Sequence, residues 1–136
     1  MTGKSILVVD DDADDRELIG EALQEIDKKI SCTYAREGFE ALDILSKPAR
    51  VLPDFIILDL NMPRLSGNQC LALIKKSNRL RVIPVIIFTT SKLESDVEEA
   101  RKLGAVLFLT KPSRFSELVE TLRNAIEIKR VSVKDN

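Results

Sequence analysis

Asp10, Asp11, Asp59, Thr89, Thr90 and Lys111 are the residues of this chain whose types could do chemistry together. Carboxylates drawn into one pocket repel and raise one another's pKa values. A hard divalent cation resolves that conflict, and carboxylate, carbonyl and water oxygens are the natural shell of Mg²⁺. A lone ammonium and a hydroxyl facing the metal then supply what the remaining oxygens of a phosphoryl group need. The implied chemistry is the handling of a phosphoryl group over a metal ion. Other chemistries are excluded by composition. The chain has no histidine, which removes Ser-His-Asp and Cys-His catalysis and zinc sites of the Cys/His type. Its cysteines, Cys32 and Cys70, lie in apolar contexts without ligand spacing and read as small core residues.

These polar residues are far apart in sequence, so a particular architecture must gather them. Apolar runs recur at Ile6–Val9, Ile30–Tyr34, Phe55–Leu58, Val82–Phe88 and Ala105–Leu109. The runs ILVV, FIIL and VIIF are nearly unbroken and rich in β-branched residues, as expected of strands covered on both faces. Between them lie helical stripes: Leu18, Ile19, Ala22, Leu23 and Ile26; Phe39, Leu42 and Leu45; Leu71 and Ile74; Val97 and Ala100; and Phe115, Leu118, Val119, Leu122 and Ile126. Ser91 and Glu94 have the spacing of a capping box for the fourth helix, and Gly104 is placed to close it. The order is βα repeated five times with short linkers. Right-handed crossovers then require a parallel sheet with helices on both faces, an α/β doubly wound fold. In such a sheet Asp10–Asp11, Asp59, Thr89–Thr90 and Lys111–Pro112 all fall at the carboxyl ends of strands, where functional groups gather.

With those positions in hand, the chain resembles the receiver domain of bacterial two-component response regulators, in the stand-alone form typified by the chemotaxis regulator. The resemblance is carried by ILVVDDD (6–12), DFIILDLNMPRLSG (54–67), VIIFTTS (85–91) and GAVLFLTKP (104–112). It implies a flavodoxin-like three-layer (βα)5 sandwich with strand order 2-1-3-4-5. It also implies one receiver domain over residues 1–136, core about 5–128, with no output domain. By the family pattern Asp59 is phosphorylated, Asp11 ligates Mg²⁺ directly, Asp10 holds it through water and Asn61 offers a backbone carbonyl. Thr89 binds a phosphoryl oxygen and Lys111 pairs with the phosphate, aimed by a cis Lys111–Pro112 bond. Thr89 and an aromatic residue on the last strand, here Phe108 rather than the usual tyrosine, form the conformational switch. Thr90 stands where the family commonly has alanine. The resemblance implies a sensor histidine kinase, a phosphotransfer protein or a small acyl phosphate as donor. It further implies a protein target at the fourth helix, fifth strand and fifth helix, with monomer and phosphorylation-dependent homodimer both left open.

The acidic run from Asp10 to Asp15 has a plainer reading for part of its length. Asp12, Asp14 and Asp15 suit the N-terminus of the first helix, with Asp12 as N-cap. That reading fits Asp10 and Asp11 poorly, because they end a strand. Rival functions are an intermediate phosphorelay carrier, a non-phosphorylated pseudo-receiver and a phosphatase of the haloacid dehalogenase type. The last needs a second aspartate two residues after its nucleophile, where this chain has Asn61. A formal charge of −1 with no basic block disfavours nucleic acid. No leader or apolar run of membrane-spanning length occurs, so the chain reads as cytoplasmic.

Overall fold

The structure is a computed structural model that describes residues 4–48, 51–90 and 93–135, with side chains described as far as residue 127. Strands and helices alternate: β1 (Ser5–Val9), α1 (Ala13–Ile26), β2 (Ser31–Ala35), α2 (Gly38–Leu45), β3 (Phe55–Leu58), α3 (Gly67–Lys76), β4 (Val85–Thr89), α4 (Glu94–Leu103), β5 (Leu107–Thr110) and α5 (Phe115–Asp135). The strands form one parallel sheet in the order β2-β1-β3-β4-β5. The expected doubly wound (βα)5 sandwich is therefore present, with its strand order.

Period-two alternation explains why the central strands are apolar throughout. Leu7, Val9, Ile56, Leu58, Val85 and Ile87 face a core shared with Ala41, Leu45, Cys70, Leu71, Ile74 and Ala100 of α2, α3 and α4. Their neighbours Ile6, Val8, Phe55, Ile57, Ile86 and Phe88 face a second core with Ile19, Ala22, Leu23, Leu118 and Leu122 of α1 and α5. Each helical stripe is thus buried, but its outermost members are not. Leu18, Phe39 and Phe115 are exposed, because a helix docked on a sheet covers only part of a wide apolar face.

Local signals shift several element boundaries. The fourth strand begins at Val85, not Val82: Pro84 has no N–H for a sheet ladder, and Val82 is exposed. Ala105 closes α4 with its N–H on the Ala100 carbonyl, so β5 starts later than the apolar run does. The N-cap of α4 is Leu93, without a side-chain cap, and Ser91 lies outside the described residues. A true capping box forms instead at α3, where Ser66 and Gln69 bond reciprocally. Gly104 closes α4 at φ 103°, the left-handed conformation that glycine adopts without a Cβ penalty. The last helix continues through the tail to Asp135. Among the described residues, no helix is long and apolar enough to cross a membrane.

The cysteines are core residues, as their contexts suggest. Burial pushes the Cys70 thiol up to about 12 and also raises that of half-buried Cys32. A free thiol becomes steadily more reactive between about pH 8 and 9, as its thiolate fills. In the native protein Cys70 is expected to react slowly with a disulfide reagent over that range and to gain little from the rise in pH. In denaturant both thiols should react at once. Rapid native labelling of Cys70, followed by mass spectrometry, would contradict this placement.

Candidate functional site

Two of the strands that build this site, β1 and β3, feed directly into aspartates, and a third, β5, feeds into a lysine. Asp10 follows β1, and its N–H is held by the Ala35 carbonyl of the neighbouring strand. Asp59 follows β3, with its N–H on the Val9 carbonyl. Lys111 follows β5 and donates its N–H to the Thr89 carbonyl at the end of β4. Backbone pairing between strand ends therefore fixes where each side chain starts, before any side-chain contact forms.

The result is a pocket of converging charge. One carboxylate oxygen from each of Asp10, Asp11 and Asp59 lies within 4.8 Å of the others. Asp10 and Asp59 are buried, at 1% and 6% exposure, while Asp11 is open to solvent. The Lys111 ammonium donates to Asp10 Oδ2 at 2.6 Å and to Asp15 Oδ2 at 2.9 Å, and stands 3.6 Å from Asp59 Oδ2. The residues thus bridged are 101 and 96 positions apart for the two hydrogen-bonded carboxylates. Asp10 is further held by the Asp12 N–H on its Oδ1, and Arg16 donates to its backbone carbonyl.

The electrostatics of the lysine and of Asp10 differ in outcome. Burial would lower the Lys111 pKa, but its bonds to Asp10 and Asp15 outweigh that and hold the ammonium firmly charged, well above the usual value. Burial raises the Asp10 pKa above its ordinary 3.8, and Lys111 and the Asp12 N–H only partly reverse this. Nearby Asp59 adds a further upward push. Asp10 is therefore a carboxylate in want of positive charge even with a lysine beside it.

A divalent cation fits this donor set. Asp59 Oδ1 is buried without a hydrogen-bond partner, and the neighbouring donors are all hard oxygens. A buried orphan carboxylate oxygen is costly unless something binds it. Asp10, Asp11 and Asp59 are the residues that could hold the ion.

A model of the response regulator receiver domain matches residues 6–123. The chain belongs to the response regulator receiver family. Two curated relatives resemble this receiver over most of its length. The probable methanogenesis regulatory protein FilR2 of Methanothrix harundinacea is 34% identical over 125 residues, covering 90% of this chain and 81% of that protein. Response regulator Rcp1 of Synechocystis is 32% identical over 124 residues, with 88% and 84% coverage. Among solved structures, the phosphorylated cyanobacterial phytochrome response regulator RcpA matches with a TM-score of 0.85 at 32% identity, covering 93% of each chain. The Mn²⁺-bound form of Rcp1 matches with a TM-score of 0.80 at 32% identity, covering 90% of this chain and 91% of that one. The acidic cluster of this receiver is accordingly poised for metal-assisted phosphoryl chemistry.

The other residues singled out from the receiver pattern lie on β4 and β5 and just after β3 and β4. Thr89 is fully buried at the end of β4, and the Asn61 side-chain amide donates to its hydroxyl at a long 3.5 Å. Thr90 is exposed at the same strand end. Phe108 is half-buried against the core that faces α3 and α4. One expectation is corrected: no peptide bond among the described residues is cis, so Lys111–Pro112 is trans. The lysine is aimed by the carboxylates that hold it rather than by a cis bond.

Asp12 caps α1 as expected, accepting from the N–H groups of Asp14 and Asp15 at 2.9 and 3.2 Å. Asp15 does more than charge the helix terminus. Its contact with Lys111 was not readable from sequence, since several acids share that turn and only the rotation of α1 about its axis selects one.

The loop after Asp59 is braced by close backbone packing. A Cβ on Gly67 would lie 2.3 Å from the Asp59 carbonyl oxygen and 2.6 Å from the Leu60 Cα. Backbone atoms cannot swing aside as the Leu65 side chain could for a Cβ on Gly38. Gly67→Ala is expected to cost about 3 kcal/mol, the upper end of ordinary overpacking, and to lower the melting temperature by about 10 °C. Gly38→Ala should cost much less, and equal losses in thermal denaturation would refute the assignment of the brace.

Proposed function

We propose that this protein is a phosphoacceptor signalling switch that takes a phosphoryl group onto Asp59. The observation that carries the reading is the partnerless, buried Oδ1 of Asp59, set between two further carboxylates and the Lys111 ammonium. An Asp59 oxygen attacks phosphorus, the P–N bond of a donor phosphohistidine breaks, and the electron pair leaves on the imidazole. With acetyl phosphate the P–O bond breaks instead and acetate departs. Lys111 pairs with one phosphoryl oxygen and the Thr89 hydroxyl donates to another. Water later attacks the same phosphorus, the P–O bond to Asp59 breaks, and inorganic phosphate leaves as the free carboxylate is restored.

The pocket would suit Mg²⁺, which Asp11 and Asp59 would ligate directly, with Asn61 offering its backbone carbonyl and Asp10 holding the ion through water. When bound, such an ion neutralises the carboxylates and the charge that develops on the phosphoryl oxygens. All-oxygen donors accept Mn²⁺ as well, in keeping with the Mn²⁺-bound form described for Rcp1. The donor is a sensor histidine kinase or a phosphotransfer protein, and the core acts as one receiver unit in the cytoplasm. Phosphorylation draws Thr89 inward, and Phe108 follows into the vacated space. That shift changes the surface of α4, β5 and α5 read by a protein target. Phenylalanine fills the space but has no hydroxyl for a partner to bond.

The test is labelling by acetyl phosphate with Mg²⁺ and its loss in excess chelator, checked by intact mass. A protein that takes up no phosphoryl group and shows no saturable beryllofluoride binding would end this reading.

A further inference from the structure

We propose that Asp15 is a positioning residue that competes with the phosphoryl group for the Lys111 ammonium. The inference rests on the reading of Asp59 as phosphoacceptor. An ammonium has three N–H groups. In this structure Lys111 directs hydrogen bonds to Asp10 and to Asp15, and its approach to Asp59, at 3.6 Å, is an ion-pair distance rather than a hydrogen bond. The hydrogen bonds of the lysine thus go to Asp10 in the pocket and to Asp15 on α1, and the acceptor it must serve is left with an ion pair alone.

Asp10 and Asp15 do not hold it in the same way. Asp10 is buried and belongs to the carboxylate cluster, so a cation there satisfies its charge. Asp15 lies outside that cluster on the first turn of α1, with its side chain 35% exposed. No ion in the pocket would release its claim on the lysine. A phosphoryl oxygen on Asp59 must then win the ammonium from Asp15, whose own carboxylate can turn to water once released. Asp15 sets how much of the lysine's attraction reaches the phosphoryl group, and it ties the state of the site to the start of α1.

The decisive measurement is the affinity for beryllofluoride at saturating Mg²⁺, followed by amide chemical shifts. Asp15→Asn is expected to bind about fivefold more tightly, the upper end for a partly exposed ion pair. Asp15→Ala, which removes the acceptor altogether, should shift in the same direction, while Asp15→Glu should restore most of the original affinity. Asp14→Asn supplies the control, since it removes the same charge from an exposed neighbour and should change affinity by less than about twofold. Unchanged or weaker binding in Asp15→Asn and Asp15→Ala overturns the proposal, as does an equal shift in Asp14→Asn. If the unaltered protein fails to bind beryllofluoride, the phosphoacceptor reading itself falls and takes this inference with it. If the unaltered protein binds and the Asp15 variants do not move, only the competition is refuted.

Discussion

Asp59→Asn is expected to abolish phosphoryl labelling while leaving the fold intact. The amide oxygen is a far weaker nucleophile than a carboxylate, and an amide cannot form a stable acyl phosphate by the same route. No neighbour can substitute, because Asp10 is engaged by Lys111 and the Asp12 N–H, and Asp11 is exposed to solvent. Folding should survive, since Asn has nearly the same volume and removing one of three crowded charges lessens their repulsion. The metal-free variant should therefore melt no lower than the unaltered protein. Stabilisation by Mg²⁺ should shrink, because an ion that binds the native state raises its stability according to its affinity. Labelling at the original rate, with the phosphoryl group mapped elsewhere by mass spectrometry, would remove Asp59 from the mechanism.

Lys111→Ala is expected to damage both stability and chemistry. The ammonium, on a side chain 11% exposed, pairs with three carboxylates. Losing it leaves Asp10 a buried charge compensated only by one N–H, a loss of about 3 kcal/mol for a broken buried pair. Added Mg²⁺ should recover part of this. Loss of one preorganised donor to the phosphoryl oxygens should slow acceptance from acetyl phosphate by about a hundredfold. The pH dependence has a definite sign. Burial already raises the Asp10 pKa above 3.8, and removal of Lys111 takes away a lowering influence. Between the ordinary and the raised value the folded state binds more protons than the unfolded one, so stability falls as pH rises through that window. The metal-free variant should accordingly gain stability relative to the unaltered protein as pH falls from neutrality toward the ordinary aspartate range. A denaturant series in which the two proteins keep a constant difference across that range would contradict the account.

Much of this architecture is legible because the fold repeats a simple rule. ILVV, FIIL and VIIF look like strands covered on both sides, and once such strands lie parallel their polar termini share an edge. Asp10, Asp11, Asp59, Thr89 and Lys111 all follow or end strands at that edge. Boundaries were harder, for local reasons. Val82 continues an apolar run, yet Pro84 prevents it from joining the ladder. Ser91 and Glu94 had capping-box spacing, but the helix begins at Glu94 itself, and the functioning box is Ser66 with Gln69. That second box was available to the same rule, since the spacing of serine to glutamine is the signature. The role of Asp15 depends on helix rotation set by the packing of Ile19, Ala22 and Leu23, which periodicity defines only to within a residue or so.

The bond between Lys111 and Asp10 has a consequence for how the protein comes to life. Strands β1 and β5 are not sheet neighbours, being separated by β3 and β4, and the helices that follow them, α1 and α5, close the same layer. A chain that has formed only its first four strands can assemble its carboxylates but has no ammonium to set among them. Such long-range closure is entropically late. The charge balance of the pocket is thus complete only with the last strand in place.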